Sequence, residues 1–370
     1  MERDIFYIAG YDPRSYRHYY LLFKDNLAKF NKINSFDFNI SKINKDEKYP
    51  YFNIKNEETN IKYHFLPWND VVKKNWSKTY FDAWKDWFDV FKIFVITGLF
   101  LKFAKESIYQ IITGYYPLVY MLFSVLFSFL FSFGIYFFIE KYFGIFSIFI
   151  FLLLFLIFNK LFFELGKKIA VFWISRICSF CANFQRKRKG ELDQKINDFA
   201  LYIFDILKKN HNNKNYEMLL ISHSVGTIVS ICVAALVLKK CKEENIDFKK
   251  FKMLTLGECI PLLSYQKNCD EFKKELEYVA SFNITWYDFT SIIDGACFPQ
   301  VDFIKTSGVN SKYGPKLYSA KFHTLYEKNN YKKIKKDKYN AHFLYLFANE
   351  LSGRYDFFKF CLNKEFLEQK

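Results

Sequence analysis

Apolar and polar positions divide the chain into three parts. No charged residue lies between Ser107 and Ile139, and the most apolar stretch there runs from Leu118 to Ile139. Glu140-Lys141 interrupts it. Tyr142 to Asn159 is again free of charge, and apolar character continues past Lys160 to Phe163. A helix of roughly 20 apolar residues crosses the hydrocarbon of a bilayer. The pattern therefore predicts two transmembrane helices, 114–140 and 142–165, with a tight break at Glu140–Gly144. Neither has a polar face, which argues against a buried helix pair in a soluble protein. The stretch Asp86 to Ser107 is amphipathic, with Trp84, Trp87 and Phe88 near its start. Segment 86–113 thus reads as an interfacial helix leading into the membrane, and 166–190 as a basic connector behind it.

The flanking segments have shorter periods. Residues 4–9 read as a strand ended by Gly10-Tyr11-Asp12-Pro13, with a helix from Tyr16 to Phe30. Short aromatic and β-branched runs between 36 and 66 predict two or three further strands. Beyond the hairpin come a helix from Leu192 to Lys208, a strand from Tyr216 to Ser222 and a helix from Val225 to Lys240. A strand over Lys252–Leu256, a helix over Asp270–Tyr278 and a strand over Asn283–Tyr287 follow. Such alternation predicts an α/β fold, a mainly parallel sheet with helices on both faces. Neither flank has enough strands alone. Segments 1–85 and 191–370 are therefore expected to form one domain, with the hairpin inserted into it.

Composition and charge add orientation. Hydrophobic residues make up 51% of the 370 and charged ones 25%, which excludes a disordered chain. The net charge is +16. Lys92, Lys102 and Lys105 precede the hairpin, and Lys160, Lys167, Lys168, Arg176 and Arg186 to Lys189 follow it, while Lys141 alone lies in the turn. The positive-inside bias predicts both flanks in the cytoplasm and the turn outside. The N-terminus lacks the basic region, long apolar core and cleavage site of a signal peptide. The expected location is the inner (cytoplasmic) membrane, multi-pass, with both termini and the soluble domain cytoplasmic. Eight cysteines, several of them in apolar helix or strand patterns, fit a reducing compartment. Cys178 and Cys181 form a C-x-x-C without a second Cys/His pair at zinc spacing, so no metal is expected. The basic excess, including Lys332, Lys333, Lys335, Lys336 and Lys338, suits anionic headgroups. No nucleic-acid-reading motif accompanies it.

Candidate chemistry centres on Leu219-Leu220-Ile221-Ser222-His223-Ser224-Val225-Gly226-Thr227. A strand passes through a sharp turn into a helix, with Ser224 at the apex. This is the context of a nucleophile elbow, which needs small residues two before and two after the serine. Gly226 is the later one. Ser222 stands where the earlier glycine usually sits. A helix N-terminus at Val225 offers N–H groups and a positive dipole end to a developing oxyanion. The competing reading is a serine that only caps the helix. A serine nucleophile needs a base and an orienting carboxylate, in the order Ser, acid, His. His342, at the start of His342-Phe343-Leu344-Tyr345-Leu346-Phe347, is preferred as base over His323. His223 is expected to point elsewhere by virtue of the turn. Asp294, in the loop past the Asn283–Tyr287 strand, is preferred as acid over Asp288. Gly10-Tyr11 fits the second oxyanion donor, with the N–H groups of Tyr11 and Val225 aimed at one point; a plain turn ahead of Pro13 is the alternative.

At these residues the chain resembles the α/β-hydrolase superfamily, lipase/esterase-like. It is similar to bacterial membrane-associated members that open with a Gly-(Tyr/Phe)-Asp-Pro strand end and carry a hydrophobic hairpin. Those members close with Trp-x-Asp…Asp-Gly and His-Phe-x-Tyr-Leu patterns. Here these are Gly10–Pro13, Trp286–Asp288 with Asp294-Gly295, and His342–Leu346. The resemblance implies a triad of Ser224, Asp294 and His342, no cofactor, and a lipid or other acyl ester as substrate. The alternative expectation is a non-catalytic membrane protein that uses the fold as a binding or scaffold module.

Overall fold

The computed structural model describes residues 1–369; Lys370, the end of the 191–370 segment, lies outside the described residues. The chain forms two compact units. One joins Met1–Trp76 with Asn183–Lys370, and the other is Ser77–Ala182. Residues 77–85 therefore belong with the apolar helices and 183–190 with the first unit, unlike the expected boundaries at 85 and 191. Arg188 explains the second shift. Counted in the sequence as a basic flank, it is buried, bonds Glu275 through both Nη atoms at 2.7 and 2.6 Å, and bonds Asp193 through Nε at 2.5 Å.

The first unit is α/β. Its strands are β1 (Glu2–Ile8), β2 (Asn39–Ile40), β3 (Tyr51–Lys55), β4 (Asn60–Phe65), β5 (Tyr216–His223), β6 (Phe251–Leu256), β7 (Trp286–Thr290) and β8 (Lys316–Ser319). They form one sheet in the order β2-β3-β4-β1-β5-β6-β7-β8. From β4 to β8 every neighbouring pair is parallel, and β2 and β3 are antiparallel at one edge. β5 is central and wholly buried, as its near-continuous apolar run requires. Side chains alternate between two covered faces. On one, Ile5 and Tyr7 of β1 join a core with Tyr19, Phe23 and Leu27 of the helix Tyr16–Asn34 and with Phe357 and Phe358 near the C-terminus. On the other, Phe6 meets Tyr202 of the helix Asp193–Asn210, ring centroids 5.9 Å apart.

The second unit is helical. Two of its helices, Ile108–Phe143 and Phe146–Lys168, are long and apolar enough to cross a membrane. The first outruns the expected span 114–140 at both ends; the second is displaced from 142–165, starting and ending a few residues later. Glu140 and Lys141 continue the first helix rather than break it; the reversal comes at Gly144, whose φ of 52° suits a residue without Cβ. Tyr120 donates to the Phe162 carbonyl at 2.7 Å and ties the pair together. The expected continuous helix over 86–113 is instead Tyr80–Val90, a π-helical stretch Phe91–Ile96 and Leu99–Glu106, divided at Gly98. Thr79 and Asp82 cap the first of these reciprocally. The expected connector 166–190 contains a further helix, Val171–Ala182.

Candidate active site

Ser224 stands between the end of β5 and the helix Gly226–Glu243, with φ of 56°. That left-handed conformation is costly for a residue with a Cβ and must be held by its surroundings. The holding bonds are visible. Ser224 N–H donates to the Leu256 carbonyl of β6 at 2.9 Å, and its own carbonyl accepts from Thr227 N at 2.9 Å and Oγ1 at 2.6 Å. Thr227 Oγ1 also accepts from Cys259 N at 3.3 Å, which fastens the loop after β6 to the turn.

Close approach explains the small residues. A Cβ on Gly226 would lie 2.5 Å from the Ala9 carbonyl oxygen and 2.6 Å from that of Ile8. Only glycine lets the helix start against the end of β1. A Cβ on Gly10 would lie 2.9 Å from Ser224 Cβ and 3.3 Å from its Oγ, so the loop carrying Tyr11 abuts the serine. Ser222, in place of the usual glycine, is accommodated: its hydroxyl meets that of Ser230 at 2.9 Å, both buried. Asp12 anchors the same loop, taking Arg14 Nε at 2.7 Å and Tyr19 OH at 2.7 Å on Oδ2. Burial alone would raise the Asp12 carboxyl, but its bonds and attraction to Arg14 hold it below the ordinary value. Arg14 in turn stacks on Phe343, 4.8 Å from the ring centroid. A recess lined by Tyr7, Gly10, Asp12, Arg14 and Trp68 adjoins Gly10.

His342 and Asp294 come together. His342 Nδ1 lies 2.8 Å from Asp294 Oδ1, which also accepts from Ala296 N at 3.0 Å; both side chains are buried. A carboxylate only accepts, so Nδ1 carries the proton and Nε2 keeps its lone pair in the neutral ring. Burial would push the Asp294 carboxyl up, but the charge and bond of His342 outweigh it and hold the group below its usual range. Room for the carboxylate comes from Gly257, where a Cβ would lie 3.0 Å from Asp294 Oδ2.

Asp288 and His323, the alternates, are placed otherwise. β7 extends to Thr290, so Asp288 lies inside the strand and takes Thr255 Oγ1 at 2.6 Å. Burial pushes its carboxyl up to about 7, the Thr255 bond opposing. Glu258 is buried too, and burial together with the nearby Asp288 carboxyl drives it well above the carboxylate range. His323 is exposed, in a 3-10 turn at Phe322–Thr324, against Tyr331. Among the described residues, Ser224 Oγ makes one hydrogen-bond contact, with Cys259 Sγ at 3.7 Å, and none with His342. Cys259 was invisible from spacing, since it is brought in from the loop after β6. Among the described residues, no group of three His, Cys, Asp or Glu side chains is placed to hold a metal ion. Compared with family models, curated proteins and solved structures, the chain matches none.

Proposed function

We propose that the chain is a membrane-anchored serine hydrolase, lipase/esterase-like and akin to the α/β-hydrolase superfamily, that cleaves an acyl ester. The buried Asp294–His342 bond at 2.8 Å carries this reading, because it fixes the tautomer a general base needs. The left-handed Ser224 at a strand–helix turn supports it as nucleophile. In the reaction His342 Nε2 takes the Ser224 proton as Oγ attacks the ester carbonyl. The N–H groups of Val225 and Tyr11 bind the oxyanion, and Asp294 steadies the imidazolium. His342 then protonates the leaving alcohol, and water resolves the acyl-enzyme. Ser224 Oγ must first leave its contact with Cys259. The substrate is a lipid or other acyl ester at the cytoplasmic face, with both termini cytoplasmic and the hairpin turn outside.

The test is chemical. A fluorophosphonate probe should label the wild-type protein in membranes, and Ser224→Ala should lose the label. Equal labelling of Ser224→Ala would remove Ser224 from the role. A second reading, a non-catalytic module, draws on the absence of an Oγ–imidazole bond. It is favoured if the wild type takes no label.

A further inference from the structure

His223, the residue ahead of the nucleophile, was expected to point away from the chemistry. Its ring is fully buried and packs on His342, centroids 4.6 Å apart, then on Phe343 at 5.4 Å and Tyr345 at 5.9 Å. Its Nε2 lies 2.8 Å from the backbone carbonyl oxygen of His342. A carbonyl only accepts, so Nε2 carries the hydrogen and Nδ1 a lone pair. That Nδ1 is buried without a hydrogen-bond partner. A buried nitrogen left unsatisfied costs stability, so the ring is retained here against a local penalty.

Resting on the hydrolase reading, we infer that His223 is a positioning residue that fastens the backbone of the base to the strand bearing the nucleophile. His342 sits on a short helix, Lys338–Phe343, far along the chain from β5. Its side chain is held by Asp294 from the loop after β7. The His223 bond holds its main chain from β5 itself, one residue from Ser224. Base and nucleophile thereby share one reference point, and small displacements of either are costly to catalysis. Burial and the adjacent His342 press the His223 ring down to about 3, so it stays neutral and keeps its donor when His342 takes up a proton.

The test compares two side chains of nearly one shape. Gln at 223 can donate to the His342 carbonyl and Met cannot. Expected for His223→Met is a fall in kcat of about tenfold on a short-chain p-nitrophenyl ester, with KM within about twofold. His223→Gln should recover most of that loss. A readout independent of turnover is the low-field Nδ1–H proton of His342 in protein carrying 15N-histidine, assigned by its absence in His342→Ala. It should vanish or broaden in the Met variant and return with Gln. Unchanged kcat and proton signal in the Met variant would overturn the inference. So would a Gln variant as impaired as Met, or a Met variant that fails to fold while Gln folds, since the bond would then serve stability alone. If the wild type turns over no ester, the hydrolase reading fails, and the proton signal still decides whether His223 positions His342.

Discussion

Asp288 and Asp294 share one stretch of chain and are both buried, yet their carboxyls shift in opposite directions, Asp288 up through burial and Asp294, despite burial, down through His342. Asp294, hydrogen-bonded by His342, is held below its usual range, while Asp288, pushed up by burial with the Thr255 hydroxyl opposing, favours its neutral form. A stability consequence follows. An unfolded aspartate titrates near ~3.9. Between that value and about 7 the unfolded chain releases its proton and the folded chain keeps it. The stability contributed by neutral Asp288 is thus complete below about 4 and is lost as pH rises through about 7. Asp288→Asn cannot ionise. From pH 5 to pH 8 the wild type should lose stability relative to this variant, on the order of 2–4 kcal/mol, by urea unfolding in detergent. A difference independent of pH would refute the assignment. The two histidines separate as cleanly. His342→Ala should remove nearly all hydrolysis of a short-chain ester, while His323→Ala, changing an exposed ring, should leave the rate near wild type. The reverse pattern would transfer the base to His323.

At the scale of elements, the helix Gly226–Glu243 depends on contact without a side chain. Gly226→Ala forces that helix away from the carbonyls of Ile8 and Ala9, and should cost about 1–3 kcal/mol. It should also abolish fluorophosphonate labelling by shifting Ser224. Gly134→Ala is the control, since a Cβ there meets nothing within 4 Å. Equal melting temperatures for the two variants would remove the packing account. Most elements of the α/β unit were legible because their periods are strong: β5 is a continuous apolar run, and the helix before it is plainly amphipathic. The strand–turn–helix at Ser224 was legible because strand, serine, glycine and helix adjoin in sequence. β8 was missed because Lys316-Leu317-Tyr318-Ser319 is a short edge strand with little apolar signal. β7 was placed too early, which left Asp288 just past the strand end rather than inside it. Contacts of long range, such as Arg188 with Glu275 or His223 with the His342 carbonyl, leave no trace in local spacing.

For the whole molecule, exposure and charge bear on the proposed topology. Phe137, Phe138, Phe149 and Leu156 are each more than 60% exposed, as lipid-facing side chains would be and core side chains are not. A basic residue at mid-bilayer costs about 2.5–3.5 kcal/mol, so on the proposed topology the lysine-rich flanks would resist translocation. With native cysteines replaced, Gly144→Cys should react with an impermeant maleimide added to spheroplasts, and Lys336→Cys should not. Labelling of the Lys336→Cys protein alone would invert the orientation. The sheet order has a further, temporal consequence. β1 pairs with β4 on one side and β5 on the other, but about 150 residues separate the end of β4 from the start of β5. Ribosomes add about 5–20 residues per second, so the free edge of β1 waits roughly 8–30 s for its partner while the hairpin is being made. An unpaired strand edge invites foreign strands. Biogenesis of this chain thus depends on what shelters four nascent strands during that interval, and slowing translation within the hairpin should raise aggregation of the first 76 residues before it touches the finished fold.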